Sequence, residues 1–378
     1  MNNTDDFDTK NAFPREQFEE KQIPQEAMEH VQLVNYVEGL ILGDTAYGYR
    51  NLTMIPVFAN HAHNHGWITL PEAIAKGAAK VREISSSGKV NTLLIDNEGA
   101  EDILILDGEP LCGGKQNRAT TTTVYVPAGT KVKIPVTCTE RKRWKHTTSS
   151  FENGNSLLTS SIRRKRMQTI SRQLRNRKDA TTYSNRTIQQ LVWQDIQQMK
   201  SIAGCSSPTE SLEALIQHKS EDLLGFVKNL RALSEQIGSV WLIGHEVLSM
   251  EILACPRAYS ETHHRIVRSA AMEALLGRRF TNPGSKFGKA NLQRNPRRDK
   301  SISLEYTIGE YTLEQYPELF TDAANFAYGI RASIASSHES AGLGKDLRLN
   351  NENTDVSALV VDSEPVHILA FRRMIDEE

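Results

Sequence analysis

The stretch LDGEPLCGGKQNRATTTTVYVPAGTKVKIPVTCTERKRW, residues 106–144, decides how this chain is read. Residues 120–126 and 131–136 alternate Thr, Val and Ile with polar side chains and are joined by Pro127-Ala128-Gly129-Thr130, which predicts a half-buried antiparallel hairpin. Around it stand an acidic turn (Asp107-Gly108-Glu109), a double glycine (Gly113-Gly114), four polar residues in succession (Lys115, Gln116, Asn117, Arg118) and a basic-aromatic end (Glu140, Arg143, Trp144). Strands at this density bring those side chains close together, and a site is expected there.

Each element of that site also has a plain structural reading. Asp-Gly is the commonest hairpin-turn signal, yet Asp107 and Glu109 beside Lys115 and Arg118 also suit acid–base chemistry. Gly113-Gly114-Lys115 lacks the GxxxxGK[ST] spacing of a phosphate-binding P-loop. Its glycines still permit close backbone approach to a ligand, and Lys115 to Arg118 offer donors for phosphate or a base edge. Cys138 ends an apolar strand, which favours a core thiol over a nucleophile. Arg143 and Trp144 either stack a ring or cap the sheet. The candidates are therefore Glu109, Glu140 and Lys115 for catalysis, with Asp107, Gly113, Gly114, Gln116, Asn117, Arg118, Arg143 and Trp144 for ligand contact.

Outward from this stretch, residues 1–45 form an acidic lead-in, with a turn expected at 43–49. Residues 52–58 look like a strand in which Pro56 suggests an edge or a bulge. His61, His63 and His65 would share one face of an extended segment and could meet a metal; a polar surface loop is the plainer account, and no metal site is assigned. Thr69-Leu70-Pro71-Glu72 carries the signals of a helix start, and Gly77 those of its stop. Strands are expected at 81–84, 90–95 and 103–106, the last two flanking a turn at 96–99.

From residue 157 to 236 the apolar period becomes helical. A hairpin at 240–253 follows, then a helix to about 276, a Gly/Asn/Pro/Arg-rich loop at 277–303, a helical stretch at 313–337 and a closing hairpin at 358–371. The expected fold is α+β: a β-rich region at 46–150 and a helical region at 151–378, whose two late hairpins join the same fold.

The 378 residues carry a net charge of −1, so the molecule as a whole is no cationic nucleic-acid binder. Locally the balance differs. Between Arg141 and Arg186, a run including Arg163, Arg164, Lys165, Arg166, Arg172 and Arg175 faces only Glu152 and Asp179, which suggests contact with a polyanion: RNA, DNA or an acidic partner protein. Four cysteines without CxxC spacing, no long apolar run and an acidic N-terminus suggest a cytoplasmic protein without membrane spans.

Asp107-Gly108-Glu109, Gly114-Lys115-Gln116-Asn117-Arg118, Val126-Pro127-Ala128-Gly129, Ile134-Pro135-Val136, Cys138-x-Glu140 and Arg143-Trp144 together resemble one family: the ADP-ribosylglycohydrolase- and rhodanese/phosphatase-associated protein domain family. The resemblance spans about residues 52–371; the family's usual glycine before Arg143 is replaced by Lys142, which bears on the local turn. It implies a role near ADP-ribose, NAD-derived or other nucleotide chemistry, with a nucleotide or ADP-ribose-like small molecule as partner and no cofactor assigned. On that expectation Lys115 and Arg118 meet phosphates, Gln116 and Asn117 hold a ribose or base, and Trp144 stacks. The alternatives are a non-catalytic interaction protein using the basic 141–186 face, or a protein in which the motif only organises the sheet.

Overall fold

The alternation in 131–138 produces a strand, but not the expected hairpin. The structure, a computed structural model, describes residues 25–60, 66–85, 88–175, 185–244, 246–277, 308–332 and 334–373. In it Lys131–Cys138 pairs with Thr92–Asn97 along its first part and with Arg118–Thr120 along its last. With Ala79–Glu83, Phe151–Asn153 and Pro110–Gly113 these strands close a six-stranded barrel, packed with Val81, Leu93, Ile95, Leu111, Ile134, Val136 and Phe151.

Val124–Val126 leaves the barrel and pairs instead with Asp102–Ile105, which runs parallel to Trp67–Thr69 in a small separate sheet. The buried threonines cause this departure. Thr122 donates to Asp346 and Thr123 bonds His367, so the run crosses towards the C-terminal strands. For the same reason 90–95 and 103–106 do not form a hairpin: they belong to the barrel and to the small sheet. Asn97 fastens the two together by donating to the carbonyls of Glu101, Val126 and Pro127.

The main sheet is antiparallel and ten-stranded. Its order is Ile308–Thr312, Thr45–Tyr49, Leu52–Ala59, Gly238–Ile243, Glu246–Leu253, Glu364–Arg372, Thr354–Val361, Lys345–Asn350 and Ile334–Glu339, with Leu40–Leu42 also on Leu52–Ala59. Strands from both ends of the sequence thus interleave, and the two late hairpins lie side by side. Asp362 and Ser363, at φ 48° and 71°, make the tight turn whose twist matches paired strands.

Three expectations are corrected. Residues 45–49 are a strand rather than a turn, because Tyr47, Gly48 and Tyr49 pair with 52–54. Leu52–Ala59 is interior, and Pro56 stands where one neighbouring strand (Leu40–Leu42) gives way to another (Thr45–Tyr49). The helical stretch expected at 313–337 ends early, since pairing with Lys345–Asn350 makes Ile334–Glu339 a strand. His61, His63, His65 and residues 278–303 lie outside the described residues.

The helices are α1 (Gln25–Glu38), α2 (Leu70–Ala75), α3 (Ser160–Leu174), α4 (Asn185–Ala203), α5 (Leu212–His218), α6 (Ser220–Asn229), α7 (Pro256–Leu275) and α8 (Pro317–Tyr328). The start of α2 is the expected reciprocal cap: Thr69 accepts from the Glu72 N–H while the Glu72 carboxylate accepts from the Thr69 N–H at 2.7 Å. Among the described residues no helix is long and apolar enough to cross a membrane. Helix α4 is clamped to the barrel wall by Gln189, whose amide oxygen accepts from the Cys138 N–H (2.7 Å) and whose amide nitrogen donates to the Cys138 carbonyl (2.8 Å). That clamp positions the candidate site.

Candidate ligand-binding site

The motif residues divide into two clusters. The first lies beneath Asp107-Gly108-Glu109. On α3 the i, i+3 spacing turns Arg163 and Arg166 inward together. Arg163 holds the Glu251 carboxylate with two bonds of 2.8 and 2.6 Å, and Arg166 donates to Asp107 at 2.6 Å. Glu109 is engaged by Arg265 and by Asn153. His367 completes the chain, 3.2 Å from Glu251 and 2.8 Å from the Thr123 hydroxyl. Gly108, at φ +79°, lets Arg163 lie against the backbone, where a Cβ would come within 3.1 Å of the Arg163 side chain. Burial pushes the Glu251 carboxyl up, but the Arg163 charge, helped by His367, outweighs it and holds the group at about 2. Every charged member is buried and paired.

The second cluster sits at the rim of the barrel. Asn117 accepts from the Gly113 N–H and from Arg143, each at 2.9 Å. Arg143 also reaches the Gly113 and Gly114 carbonyls and binds Glu140 at 2.7 Å. Burial raises the Glu140 carboxyl, but Arg143, Thr209 and the Asn117 N–H bring it below its ordinary value. The double glycine is explained by crowding: a Cβ on Gly114 would lie 2.3 Å from the Phe151 ring, and one on Gly113 would lie 2.3 Å from the Thr148 hydroxyl. Arg118 is fully buried; it donates to the Gln116 carbonyl at 3.0 Å and stands 3.7 Å from Glu83. Trp144, 48% exposed, lies with its ring centre 5.5 Å from the Arg118 guanidinium and 5.4 Å from the Lys115 ammonium.

The expected residues are therefore not gathered at one open pocket. Asp107 and Glu109 belong to the interior, and Gly113, Gly114, Asn117, Glu140 and Arg143 form a clasp that closes the loop. Lys115 and Trp144 stay within reach of solvent, while Gln116 is buried. The six basic residues expected on one face are also separated. Arg163, Arg164 and Arg166 are buried, Lys165 binds Asp195 at 2.5 Å, and only Arg172 and Arg175 are exposed. Burial raises the Cys138 thiol to about 11, which fits a core role.

An open cleft of about 320 Å³ lies nearby, between the 140–147 loop, the C-terminal half of α4 and the segment entering α5. Arg141, Trp193, Lys200, Ser207 and Glu210 line it. The Arg141 guanidinium lies 5.5 Å from the centre of the Trp193 ring. The Trp193 indole N–H is buried and has no hydrogen-bond partner among the described residues. Lys200 is 8% exposed, yet its ammonium makes no hydrogen bond or salt bridge with a described residue. Glu210 binds Lys142 at 2.5 Å, and that bond holds its carboxyl below the ordinary range. Glu210 also lies within electrostatic reach of Lys200, and a cation beside a cation-stacked indole in an open cleft suits an anion attached to a ring.

Sequence reading passed over Trp193 and Lys200, and over Glu251, His367 and Arg265 in the buried network. A signal existed for some of them. Lys200 falls four residues after Ile196 on the buried stripe of α4, and Glu251 stands between Met250 and Ile252 in an apolar strand. A charge at an inward position needs a partner or a purpose.

An α+β protein with a small barrel set against a ten-stranded sheet, carrying this motif order, falls in a definite class. Residues 43–371 match the family model of the ARG and Rhodanese-Phosphatase-superfamily-associated Protein domain (ARPP-1), and the chain belongs to that family. Comparison with curated proteins and with solved structures returned no match.

Proposed function

We propose that this protein binds a phosphate-bearing ligand of nucleotide or ADP-ribose type in the cleft between the 140–147 loop and α4. The observation that carries this reading is Lys200, a cation of low exposure that lines the same open cleft as the Arg141–Trp193 stack. The Lys200 ammonium and Arg141 meet the phosphate, and the indole of Trp193 receives the ring. The family's named association with ARG and rhodanese-phosphatase proteins accords with such a ligand. Binding is favoured over acid–base catalysis by Glu109 and Glu140, because both carboxylates are committed to arginines. Lys115 and Trp144 flank the same loop and are its secondary contacts.

Calorimetric titration with ADP-ribose, NAD and AMP tests the proposal. The Lys200→Met variant is expected to bind roughly 10- to 100-fold more weakly than the unaltered protein, the effect of losing one hydrogen bond to a charged group. Absence of binding by all three ligands, or unchanged affinity in Lys200→Met, would overturn it.

A further inference from the structure

We infer that the ligand is a single-stranded oligonucleotide, with the cleft just described as the first of three consecutive nucleotide subsites along α4. The inference rests on that reading of the first cleft and extends it. Beyond Trp193 lies a second cleft of about 530 Å³, lined by Val90, Asn91, Val136, Arg186 and Gln190. A third of about 380 Å³ follows, lined by Asn91, Thr92, Lys133, Asn185 and Ser340. Trp193 is common to the first and second, while Asn91 and Asn185 are common to the second and third, so the three are contiguous.

One wall of the first two clefts is a stripe of one helix, and the third adjoins its first residue, Asn185. Arg186, Gln190, Trp193, Gln197 and Lys200 recur at steps of four and three residues, which puts them on one face of α4. Fourteen residues of rise separate the first from the last, about 21 Å. That length suits roughly four nucleotides, the lower end of single-strand site sizes. The first cleft alone, at about 320 Å³, is the size of a single small ligand.

Charge favours a polyanion. Arg141 and Lys200 stand at one end, Arg186 in the middle and Lys133 at the other end. The carboxylates on the rims are already neutralised: Glu210 by Lys142, Glu339 by Lys345 and Asp346 by Arg348. Lys133 and Arg186 form no ion pair with a described residue. The side chains between the cations favour nucleotides over an acidic peptide. Trp193 supplies a stacking face that any base can use, and the amides of Asn91, Asn185 and Gln190 can pair with base edges. Gln189 is not among these readers, since its amide holds α4 to the barrel.

The test is fluorescence anisotropy with labelled oligoadenylates of one, two, four and eight units, in RNA and DNA forms, at several salt concentrations. The tetramer should bind at least about tenfold more tightly than AMP, with an affinity that falls as salt rises. A Lys133→Ala/Arg186→Ala double variant, altered only at exposed positions, should lose that advantage while its affinity for AMP is unchanged. A difference between the RNA and DNA arms reports contact with the 2′-hydroxyl. If AMP binds as tightly as the tetramer, the chain inference fails and the nucleotide-site reading stands. If nothing binds, both fall. If polyglutamate displaces the tetramer as effectively as unlabelled RNA does, the occupant is an acidic peptide and the inference is overturned.

Discussion

Two regions of this molecule use arginine and carboxylate for opposite ends. Under Asp107-Gly108-Glu109, the guanidiniums of Arg163, Arg166 and Arg265 are removed from water and each is paired with a carboxylate: Glu251, Asp107 and Glu109 in turn. Some 30 residues further along, on α4, Lys200 is of low exposure but lines an open cleft, with Glu210 within electrostatic reach. The first arrangement is enclosed in the interior. The second borders an open cleft. Count of charges in the sequence does not separate the two; the partner supplied by a distant strand does.

The largest test of this contrast is to unpair the saturated region. Glu251→Ala leaves Arg163 and His367 without their shared carboxylate and should lower the unfolding free energy in urea by about 3–5 kcal/mol, the range for a broken buried pair. Retention of full stability would show that the network is not part of what holds α3 to the sheet.

Acid should act on the interior in two stages: at His263 on α7, which bonds the Tyr259 hydroxyl and the Leu230 carbonyl, and then at Glu251. Burial depresses His263 from 6.5 to about 4, so folding favours its neutral form, and stability falls as pH drops from 6.5 towards 4. Glu251, held at about 2 against an ordinary 4.5, contributes stability that is complete above 4.5 and is lost as pH falls towards 2. The second stage is on the order of 3 kcal/mol. Denaturation midpoints across pH 2–7 check both signs, and Glu251→Gln should remove the lower stage.

Gly114→Ala comes next in size. With φ at +51° and the Phe151 ring in the way, it should cost about 1–3 kcal/mol in thermal unfolding without reaching the cleft. Lys200→Met sharpens the comparison from the other side. It should weaken ligand binding while shifting stability by no more than about 1 kcal/mol in either direction. A loss as large as that of Glu251→Ala would make Lys200 a structural residue too. The smallest effect is expected for Trp144→Ala, which removes a half-exposed ring from Lys115 and Arg118 and should cost about 0.5–1 kcal/mol.

Local signals were legible wherever neighbours along the chain decide the outcome. The Thr69–Glu72 cap, the stop at Gly77, the helical period of α3 to α6 and the turn at Asp362-Ser363 all depend on contacts within a few residues. Failures came where two equally good strands compete for partners. Val124–Val126 has the pattern of a hairpin arm, but its partner is Asp102–Ile105 rather than the strand that follows it. Ile334–Glu339 is likewise a strand because Lys345–Asn350 lies beside it. Within the site, the position of the motif was legible, whereas the saturation of Asp107 and Glu109 was not, since Arg163, Arg166 and Arg265 lie 56 to 156 residues away.

The sequence by itself determined the α+β class, the family, the start and stop of α2, and the importance of residues 106–144. Those follow from periodicity, capping and turn chemistry, which act over one or two turns of chain. Only the tertiary structure decided what that stretch does. Long-range pairing closed the barrel, turned α3 inward and gave each motif carboxylate its arginine, so the signature became a framework. The same packing put Lys200 and Trp193 on one open cleft. Burial is set by where strands meet, and a side chain's charge acquires its role only after its partners have been assigned.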